Sequence, residues 1–204
     1  EDAIIAQGKK EGRAWEQKRT VAWVINTLVK GDVYVTDTYN KEWLGTAIGS
    51  NLGSGVYHAT GNGMITYGHI RDIERLRKVE GFNVWCKGFD PSYMRQTILT
   101  NYNVPIRIGK ATVIPGDVVL AKPGAVLFIP AHLVEQIVLT SEFTKLTDEF
   151  GEAMIKEGRY TAGQIDSVWS DEMNKAFVSW VRNYPGKLPM SEKQLEACLK
   201  ERNF

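Results

Sequence analysis

The sequence predicts an α/β fold followed by a helical C-terminal extension. Over the first 90 residues, helical patterns and short strand-like runs succeed one another, an order typical of a parallel βαβ core. Between residues 84 and 129 short strands are separated by turn signals, and from Pro130 onward the pattern is helical again. We therefore divide the chain into an α/β domain, residues 1–158, and a helical extension, residues 159–204.

The first half contains two helices and two strands. Each helix is predicted from apolar side chains that recur at helical spacing, and each strand from a run of β-prone residues. Gly31, Gly68 and Gly81 mark the ends of elements. The predicted elements are a helix at 13–30 that includes Trp15, strands at Val33–Asp37 and Met64–Tyr67, and a helix at 70–79.

The second half combines short strands with longer helices. Turns rich in Gly and Pro separate the strands, which are expected to form a compact β-layer or barrel. Aromatic residues of the tail, Trp169 and Phe177 among them, are expected to pack in a core or an interface rather than to bind a ligand. The strands are predicted at 84–86, 104–108, 111–114, 118–120 and 125–129, and the helices at 130–158, around 169–181 and after Pro189.

Composition excludes several classes of protein. Twenty-five basic and 24 acidic residues give a net charge of +1, without the basic excess that phosphate contacts require, so no nucleic-acid partner is expected. No apolar run approaches the roughly 20 residues that cross a bilayer, so no membrane association is expected. Two distant cysteines, Cys86 and Cys198, favour reduced thiols in a cytoplasmic protein. Glu1-Asp2 does not begin a secretory signal, although a signal removed before residue 1 would leave no trace.

The segment Gly68–Asp72 lies where a strand is predicted to end and a helix to begin. In open α/β sheets ligands collect beyond the carboxyl ends of strands, and helix N-termini attract anions. Arg71 offers a bidentate grip on a carboxylate, and Asp72 offers an oxygen ligand for Mg²⁺. The structural alternative is that Asp72 complements the helix dipole and Arg71 pairs with Glu74.

A glycine-rich stretch, Gly49–Gly53, precedes this segment. In a tight turn its backbone N–H groups suit a small anion. Its spacing fits neither a phosphate-binding P-loop nor a dinucleotide fingerprint. The alternative is a close-packed helix start.

These segments together resemble the family of the regulator of ribonuclease activity A and the class II 4-hydroxy-4-methyl-2-oxoglutarate aldolases, here called RraA-like. The resemblance extends from about residue 18 to 158, and the order and spacing of the pieces make it specific. The matching pieces are Lys30–Asp37, Gly49–Leu52, Gly68–Asp72, Gly88, Val104–Ile106, Val113–Asp117 and Val126–Pro130.

The resemblance implies a swivelling β/β/α domain that assembles as a homotrimer or as a hexamer of two trimers, with active sites between subunits. By position in the motifs, Arg71 grips the substrate carboxylate and Asp72 holds Mg²⁺ or Mn²⁺. The loop at Ser50, with the amides of Asn51 and Leu52, binds the same substrate.

A carboxylate from the neighbouring subunit's C-terminal helix also contributes in the family, and Asp148 or Glu149 is the candidate here. The implied activity is that of a divalent-metal-dependent lyase, an aldolase or decarboxylase, which cleaves a small 2-oxo acid through a pyruvate enolate.

Three departures from the family pattern keep two alternatives open. Ser50 stands where the aldolases carry an acidic residue, Lys122 replaces an Asp, and the family's N-terminal helical segment is largely missing. The first alternative is a non-catalytic trimeric regulator that binds a ribonuclease or another protein. The second is a metal-dependent sugar-acid enzyme.

Overall fold

The computed structural model describes residues 20–202, together with Ala6, Lys9 and Lys10. The chain divides into two compact units, one up to residue 128 and one from residue 129 onward. Of the helix predicted at 13–30, the structure confirms Thr20–Ile25, whereas Trp15 lies outside the described residues.

The described part of the first unit begins with helices interspersed among strands and continues with a run of short strands. Helices are numbered α1 to α3 and strands β1 to β9 in chain order. The helices are α1 Thr20–Ile25, α2 Ser50–Thr60 and α3 Ile73–Leu76, and the strands are β1 Tyr34–Asp37, β2 Met64–Tyr67, β3 His69–Ile70, β4 Val84–Trp85, β5 Gly88–Phe89, β6 Ile106–Ile108, β7 Ala111–Val113, β8 Val118–Lys122 and β9 Ala125–Ile129.

The predicted parallel βαβ core is confirmed. Strands β1, β2 and β4 form a parallel sheet in the order β1-β2-β4, with Tyr34 opposite Met64 and Met64 opposite Val84. Helix α2 connects β1 to β2, as a crossover between parallel strands requires. The buried faces of these elements enclose an apolar core that includes Ile48, Val56 and Met64.

The helix predicted at 70–79 is shorter in the structure. Ile70 belongs to β3, which pairs in parallel with β5, and α3 begins only at Ile73. Asp72 explains the late start, because its φ of 60° is left-handed and incompatible with a continuous right-handed helix. Gly81, also left-handed at φ 79°, terminates the segment as predicted.

The glycine-rich stretch is a helix start rather than a tight turn. Helix α2 begins at Ser50, directly after Gly49. Gly53 lies inside the helix, where a Cβ atom would come within 2.5 Å of Leu76 Cδ2. Close packing therefore accounts for this glycine, which confirms the alternative interpretation of the stretch as a close-packed helix start.

The later strands pair two by two. Strand β6 pairs with β7 in antiparallel register, and β8 pairs with β9. Of the two expected arrangements, a β-layer or a barrel, the barrel is not formed, because among the described residues these ladders do not join into a closed sheet. Each hairpin turns at a left-handed glycine, Gly109 in the first and Gly124 in the second.

The second unit is helical and has its own aromatic core. Its elements are a 3₁₀ turn at Ala131–Leu133 and helices α4 Val134–Lys156, α5 Ala162–Ile165, α6 Asp171–Arg182 and α7 Glu192–Glu201. Phe143, Phe150 and Phe177 are fully buried in it. Because α4 supplies two of these rings, the structure places this helix with the tail, whereas the sequence assigned residues up to 158 to the first domain.

The helices and the tail core follow the sequence prediction closely. The helical stretch after Pro130 is confirmed, and Trp169 and Phe177 pack with other rings of this unit. Within the described residues, no helix is long and apolar enough to cross a membrane.

Candidate functional site

Arg71 and Asp72 form the short link between β3 and α3 in the first unit. The Arg71 backbone N–H donates to the carbonyl of Ile48 at 3.1 Å, which holds the link against the start of α2. The left-handed conformation of Asp72 then turns the chain into α3. Asp is one of the few non-glycine residues that adopts this conformation readily.

The Asp72 carboxylate lies at the N-terminus of α2. Its Oδ2 atom accepts a hydrogen bond from the Ser50 backbone N–H at 3.0 Å and lies 3.3 Å from the Ser50 hydroxyl, which donates to it. Gly49, at the N-cap position, has no side chain to do this. Asp72 therefore caps a helix that begins 22 residues earlier in the sequence.

The same contacts favour the ionised form of Asp72. The Ser50 backbone hydrogen bond is the main cause that lowers the pKa of Asp72, and the positive charges of Arg71 and Arg75 and the Ser50 hydroxyl act in the same direction. The side chain is 42% exposed, so the carboxylate remains accessible from solvent. Of the described residues, none donates a hydrogen bond to its second oxygen, Oδ1.

The Arg71 side chain is fixed by three contacts. Its Nη1 atom donates to the carbonyl of Thr46 at 2.7 Å, and its Nε atom lies 3.9 Å from Asp72 Oδ2. The guanidinium carbon lies 5.1 Å from the centre of the Tyr93 ring. The predicted alternative partner, Glu74, forms no ion pair with Arg71 within the described part of the chain.

Gly49 allows the two charged side chains to approach the helix start. A Cβ atom at this position would lie 2.6 Å from Asp72 Oδ2 and 2.9 Å from Arg71 Nε. Its backbone is extended, with φ of −130°, so the reason for glycine is space rather than conformation. Any larger residue would displace one of the charged groups.

A loop at residues 90–96 packs beside this pair. The Asp90 N–H donates to the carbonyl of Ile70, and the Ser92 N–H and hydroxyl donate to the Asp90 carboxylate, which lowers the pKa of Asp90. The Leu44 N–H donates to the Ser92 hydroxyl at 2.7 Å, and the Thr46 hydroxyl donates to the Ser92 carbonyl. The loop is therefore tied to the segment that also holds Arg71.

The Arg71–Asp72 link and the start of this loop border an open cavity of about 400 Å³. Both signs of charge face it, together with apolar side chains. The lining residues are Ile70, Arg71, Asp72, Ile73, Glu74, Arg75, Phe89, Asp90 and Pro91. A cavity with convergent charged groups and apolar walls is the usual form of a small-molecule site.

Of the predicted loop residues, Ser50 contacts Asp72, and Asn51 and Leu52 follow it in the helix. Ser50 is buried, Asn51 is exposed and Leu52 is half-buried in the first turn of α2. First-turn N–H groups have no acceptor inside their own helix. Asp72 satisfies the amide of Ser50, which leaves the next two amides at the positive end of the helix dipole.

The predicted acidic residues of α4 lie in the second unit. Asp148 is exposed, whereas Glu149 is half-buried and accepts a hydrogen bond from the Tyr184 hydroxyl at 2.5 Å. Lys145 lies 4.0 Å from the other oxygen of Glu149. Glu149 is thus engaged within its own unit, and Asp148 faces solvent.

Asp72 is the residue that fits a divalent cation. No group of three or more His, Cys, Asp or Glu side chains suited to a metal occurs among the described residues. Mg²⁺ does not need one, because it binds through one or two carboxylates and retains several waters. An ionised, accessible carboxylate with one oxygen committed to a helix cap and the other open matches that mode of binding.

Sequence reasoning missed Thr46, Ser92 and Tyr93. Thr46 is 25 residues from Arg71, and Ser92 is 46 residues from Thr46. None of the three lies in a recognisable motif, and a lone Thr, Ser or Tyr is common in any sequence. Only the folded arrangement connects them.

Comparison with known proteins agrees with this fold. A family model described as RraA-like, Aldolase/RraA, matches residues 10–127. A Halalkalibacterium halodurans protein named "Putative 4-hydroxy-4-methyl-2-oxoglutarate aldolase" is 30% identical over 128 residues, which make up 62% of this chain. The match spans 60% of that relative's length, less than two thirds of it.

Solved structures show the same fold. The crystal structure of Streptomyces coelicolor RraAS2, described as an unusual member of the RNase ES inhibitor RraA protein family, gives a TM-score of 0.61 at 28% identity. The match covers 67% of this chain and 70% of that one. The RNA-processing inhibitor RraA from Thermus thermophilis gives a TM-score of 0.50 at 23% identity, over 55% of this chain and 68% of that one.

Proposed function

Since this chain belongs to the RraA-like family, we propose that it is a divalent-metal-dependent lyase, an aldolase or decarboxylase, acting on a small 2-oxo acid. One observation carries the proposal: an ionised carboxylate and a guanidinium with unused donors lie side by side at the amide-rich start of α2. Such a site pairs a cation-binding group with an anion-binding group. A 2-oxo acid in complex with a metal needs both.

Asp72 is the proposed ligand of Mg²⁺ or Mn²⁺, through Oδ1, since Oδ2 caps α2. When bound, the ion supplies Lewis-acid stabilisation of the negative charge that develops as the substrate becomes a pyruvate enolate. Asp72 needs to be ionised to bind the ion, which an ordinary aspartate already is at neutral pH, and the contacts described above lower its pKa further. The Ser50 hydroxyl and amide hold the carboxylate in one orientation.

Arg71 is the proposed partner of the substrate carboxylate. Its Nη1 atom is anchored by the Thr46 carbonyl, and no described residue accepts a hydrogen bond from Nη2. A guanidinium anchored at one corner presents its remaining donors in a fixed plane, which suits bidentate binding. Fixing the carboxylate also fixes the plane of the neighbouring carbonyl, so that the scissile bond is held perpendicular to it.

The first turn of α2 completes the proposed substrate contacts. The amides of Asn51 and Leu52 lie at the positive end of an 11-residue helix and are suited to a substrate oxygen. We further propose a homotrimer or a hexamer, in which a neighbouring subunit adds an acidic residue to the site. Asp148 is the better candidate for this role, because Glu149 already accepts a hydrogen bond from Tyr184.

The test is pyruvate release, measured by a coupled dehydrogenase assay, from oxaloacetate and from 4-hydroxy-4-methyl-2-oxoglutarate. Turnover by the wild type is expected with Mg²⁺ or Mn²⁺ and not with EDTA. Asp72→Asn, which retains an acceptor for the Ser50 amide, should reduce kcat/KM by about a hundredfold or more. Arg71→Lys should raise KM or lower kcat/KM, because a point charge loses the bidentate geometry.

Asp171→Asn provides the matched control, since it makes the same substitution in the first turn of α6 in the second unit and should leave turnover unchanged. Metal-independent turnover, or full activity of Asp72→Asn, would contradict the assigned metal ligand. No turnover of either substrate in any condition would remove the lyase proposal for these 2-oxo acids.

The Streptomyces neighbour, at 28% identity, supports a second candidate: a non-catalytic regulator that binds a ribonuclease. Ser50 in place of the acidic residue carried by the aldolases favours the same candidate. Copurification with a ribonuclease, together with no metal-dependent turnover, would establish it. Turnover that is lost in Asp72→Asn would exclude a purely regulatory role.

A further inference from the structure

We propose that Tyr93 is a positioning residue that holds the Arg71 guanidinium ready for the substrate carboxylate. This inference rests on the proposed function of Arg71 and adds a residue that no motif assigned. The ring centre lies 5.1 Å from the guanidinium carbon, within the distance at which a cation–π attraction acts. The attraction is stronger here than at an open surface, because the Arg71 side chain is only 20% exposed.

The position of Tyr93 is fixed by its loop. The residue before it, Ser92, is tied to Leu44 and Thr46 by hydrogen bonds. Two residues after it, the Arg95 N–H donates to the Leu44 carbonyl at 2.9 Å. The backbone on both sides of Tyr93 is thus held in place, while 58% of the residue surface is exposed.

Thr46 connects the ring to the arginine. It is fully buried, its hydroxyl donates to the Ser92 carbonyl, and its own carbonyl accepts from Arg71 Nη1. The loop that carries Tyr93 and the Arg71 side chain therefore share one rigid anchor. A ring that contacted Arg71 by accident would not need this common support.

The ring has two physical effects on Arg71. It attracts the guanidinium plane, so the side chain loses less rotational freedom when a ligand binds. It also keeps water from one side of the cation, which strengthens the hydrogen bonds that the remaining donors make. Both effects act on the bound substrate and on the transition state alike, so the ring is expected to lower KM and to leave kcat nearly unchanged.

The test uses the full-length chain with Mg²⁺ and compares Tyr93→Leu, Tyr93→Phe and Tyr39→Leu. We measure steady-state kinetics on oxaloacetate and pyruvate affinity by calorimetry. Tyr93→Leu should raise KM and weaken pyruvate binding by roughly three- to tenfold, with kcat within twofold. Tyr93→Phe should restore both values to within twofold, because the ring rather than the hydroxyl makes the contact.

Tyr39 is the matched control, since it is an 85% exposed tyrosine whose ring, unlike that of Tyr93, makes no cation–π contact with a described residue. Tyr39→Leu should behave as the wild type. Thermal unfolding checks that each variant is folded, and Tyr93→Met replaces Tyr93→Leu if that variant unfolds.

The outcomes separate the two proposals. Suppose that the wild type binds pyruvate and turns over oxaloacetate. The role of Tyr93 alone is then overturned if Tyr93→Leu equals the wild type, or if Tyr93→Phe is as impaired as Tyr93→Leu. A wild type that neither binds pyruvate nor turns over oxaloacetate overturns the proposed function and this inference with it. A change in kcat without a change in KM also contradicts a positioning role.

Discussion

The two units of the chain begin their helices in different ways. In the described part of the second unit, three of the four α-helices have a local cap: Thr161, Ser170 and Ser191 accept hydrogen bonds from backbone N–H groups three residues later. The fourth, α4, begins after Leu133 without a side-chain cap. In the first unit α2 begins at a glycine and takes its cap from Asp72, which is distant in sequence. The first arrangement can be recognised in a sequence, and the second cannot.

The two units also differ in backbone conformation. Among the described residues, every non-glycine residue with a positive φ lies in the first unit: Tyr39, Asn40, Leu44, Asp72 and Asn103. Such conformations cost free energy unless neighbouring contacts hold them. One of them is Asp72 itself, and another, Leu44, anchors the loop that carries Tyr93.

The contrast shows that the locally unfavourable features of this chain lie near the candidate functional site. The second unit has local caps on three of its helices, no non-glycine residue with a positive φ among its described residues, and a buried aromatic cluster. The first unit departs from local capping at the helix start where the charged pair lies. Departures from local preference are expected at functional sites, so the contrast supports the placement of the site independently of the family resemblance.

The largest expected loss of stability follows a substitution in the second unit. Phe177→Ala should lower its free energy of unfolding by about 3–5 kcal/mol, because the ring is fully buried against Phe143, Phe150 and Trp169. Denaturant unfolding followed by tryptophan fluorescence measures the loss. Trp169 and Trp180 lie in this core and report on it directly.

Val168→Ala is the control, since this valine is 97% exposed and its truncation should change stability by less than about 0.5 kcal/mol. If Phe177→Ala cost no more than Val168→Ala, the aromatic cluster would not be the core of this unit.

Much of this architecture could be predicted from the sequence, because its signals are local. The strands Met64–Tyr67 and Ala125–Ile129 have the predicted bounds, since turn residues flank each run. The pairing of β3 with β5 was not predicted, because two-residue strands carry no periodic pattern. The prediction that a helix starts at Ile70 was wrong for a related reason. The apolar spacing continues through Asp72, whereas the left-handed backbone of Asp72 interrupts the helix.

The site could be predicted only in part. Motif order pointed to Arg71, Asp72 and Ser50, and the structure brings these three together. Thr46 and Tyr93 contact Arg71 through tertiary packing, which leaves no trace at fixed spacing. The residues proposed to contact the ligand thus follow motifs, whereas the residues that pack against them do not.

A smaller loss of stability is expected when a helix cap is removed, and removing one cap of each kind compares the distant cap with the local cap directly. Asp72→Ala removes the acceptor for the Ser50 amide and should cost about 1–2 kcal/mol, whereas Ser191→Ala removes a local cap in α7 and should cost about 1 kcal/mol. Asp72→Asn should cost less than Asp72→Ala, because the amide oxygen still accepts. Thermal unfolding at neutral pH gives all three values.

The pH dependence of stability shows whether the Asp72 cap acts as an ionised carboxylate. The pKa of Asp72 is lower in the folded chain, so the unfolded chain binds the proton more tightly. Its stabilising contribution is therefore present above the unfolded pKa of about 3.9 and is lost as the pH falls through the folded pKa. The stability difference between wild type and Asp72→Asn should shrink in acid, and a difference independent of pH would contradict an ionised cap.

The smallest effect tests the close packing around α2. A Cβ atom at Gly55 would meet its nearest neighbour, Ile25 Cγ2, at an ordinary 3.6 Å, so Gly55→Ala should stabilise the chain by about 0.5–1 kcal/mol. Gly53→Ala, two residues earlier on the same helix, should destabilise it, because Leu76 Cδ2 lies only 2.5 Å away. Thermal unfolding of both variants measures the opposite signs. Equal effects would mean that helix propensity alone sets the stability of α2, and that Gly53 is not required by the packing of α2 against Leu76 and Phe82.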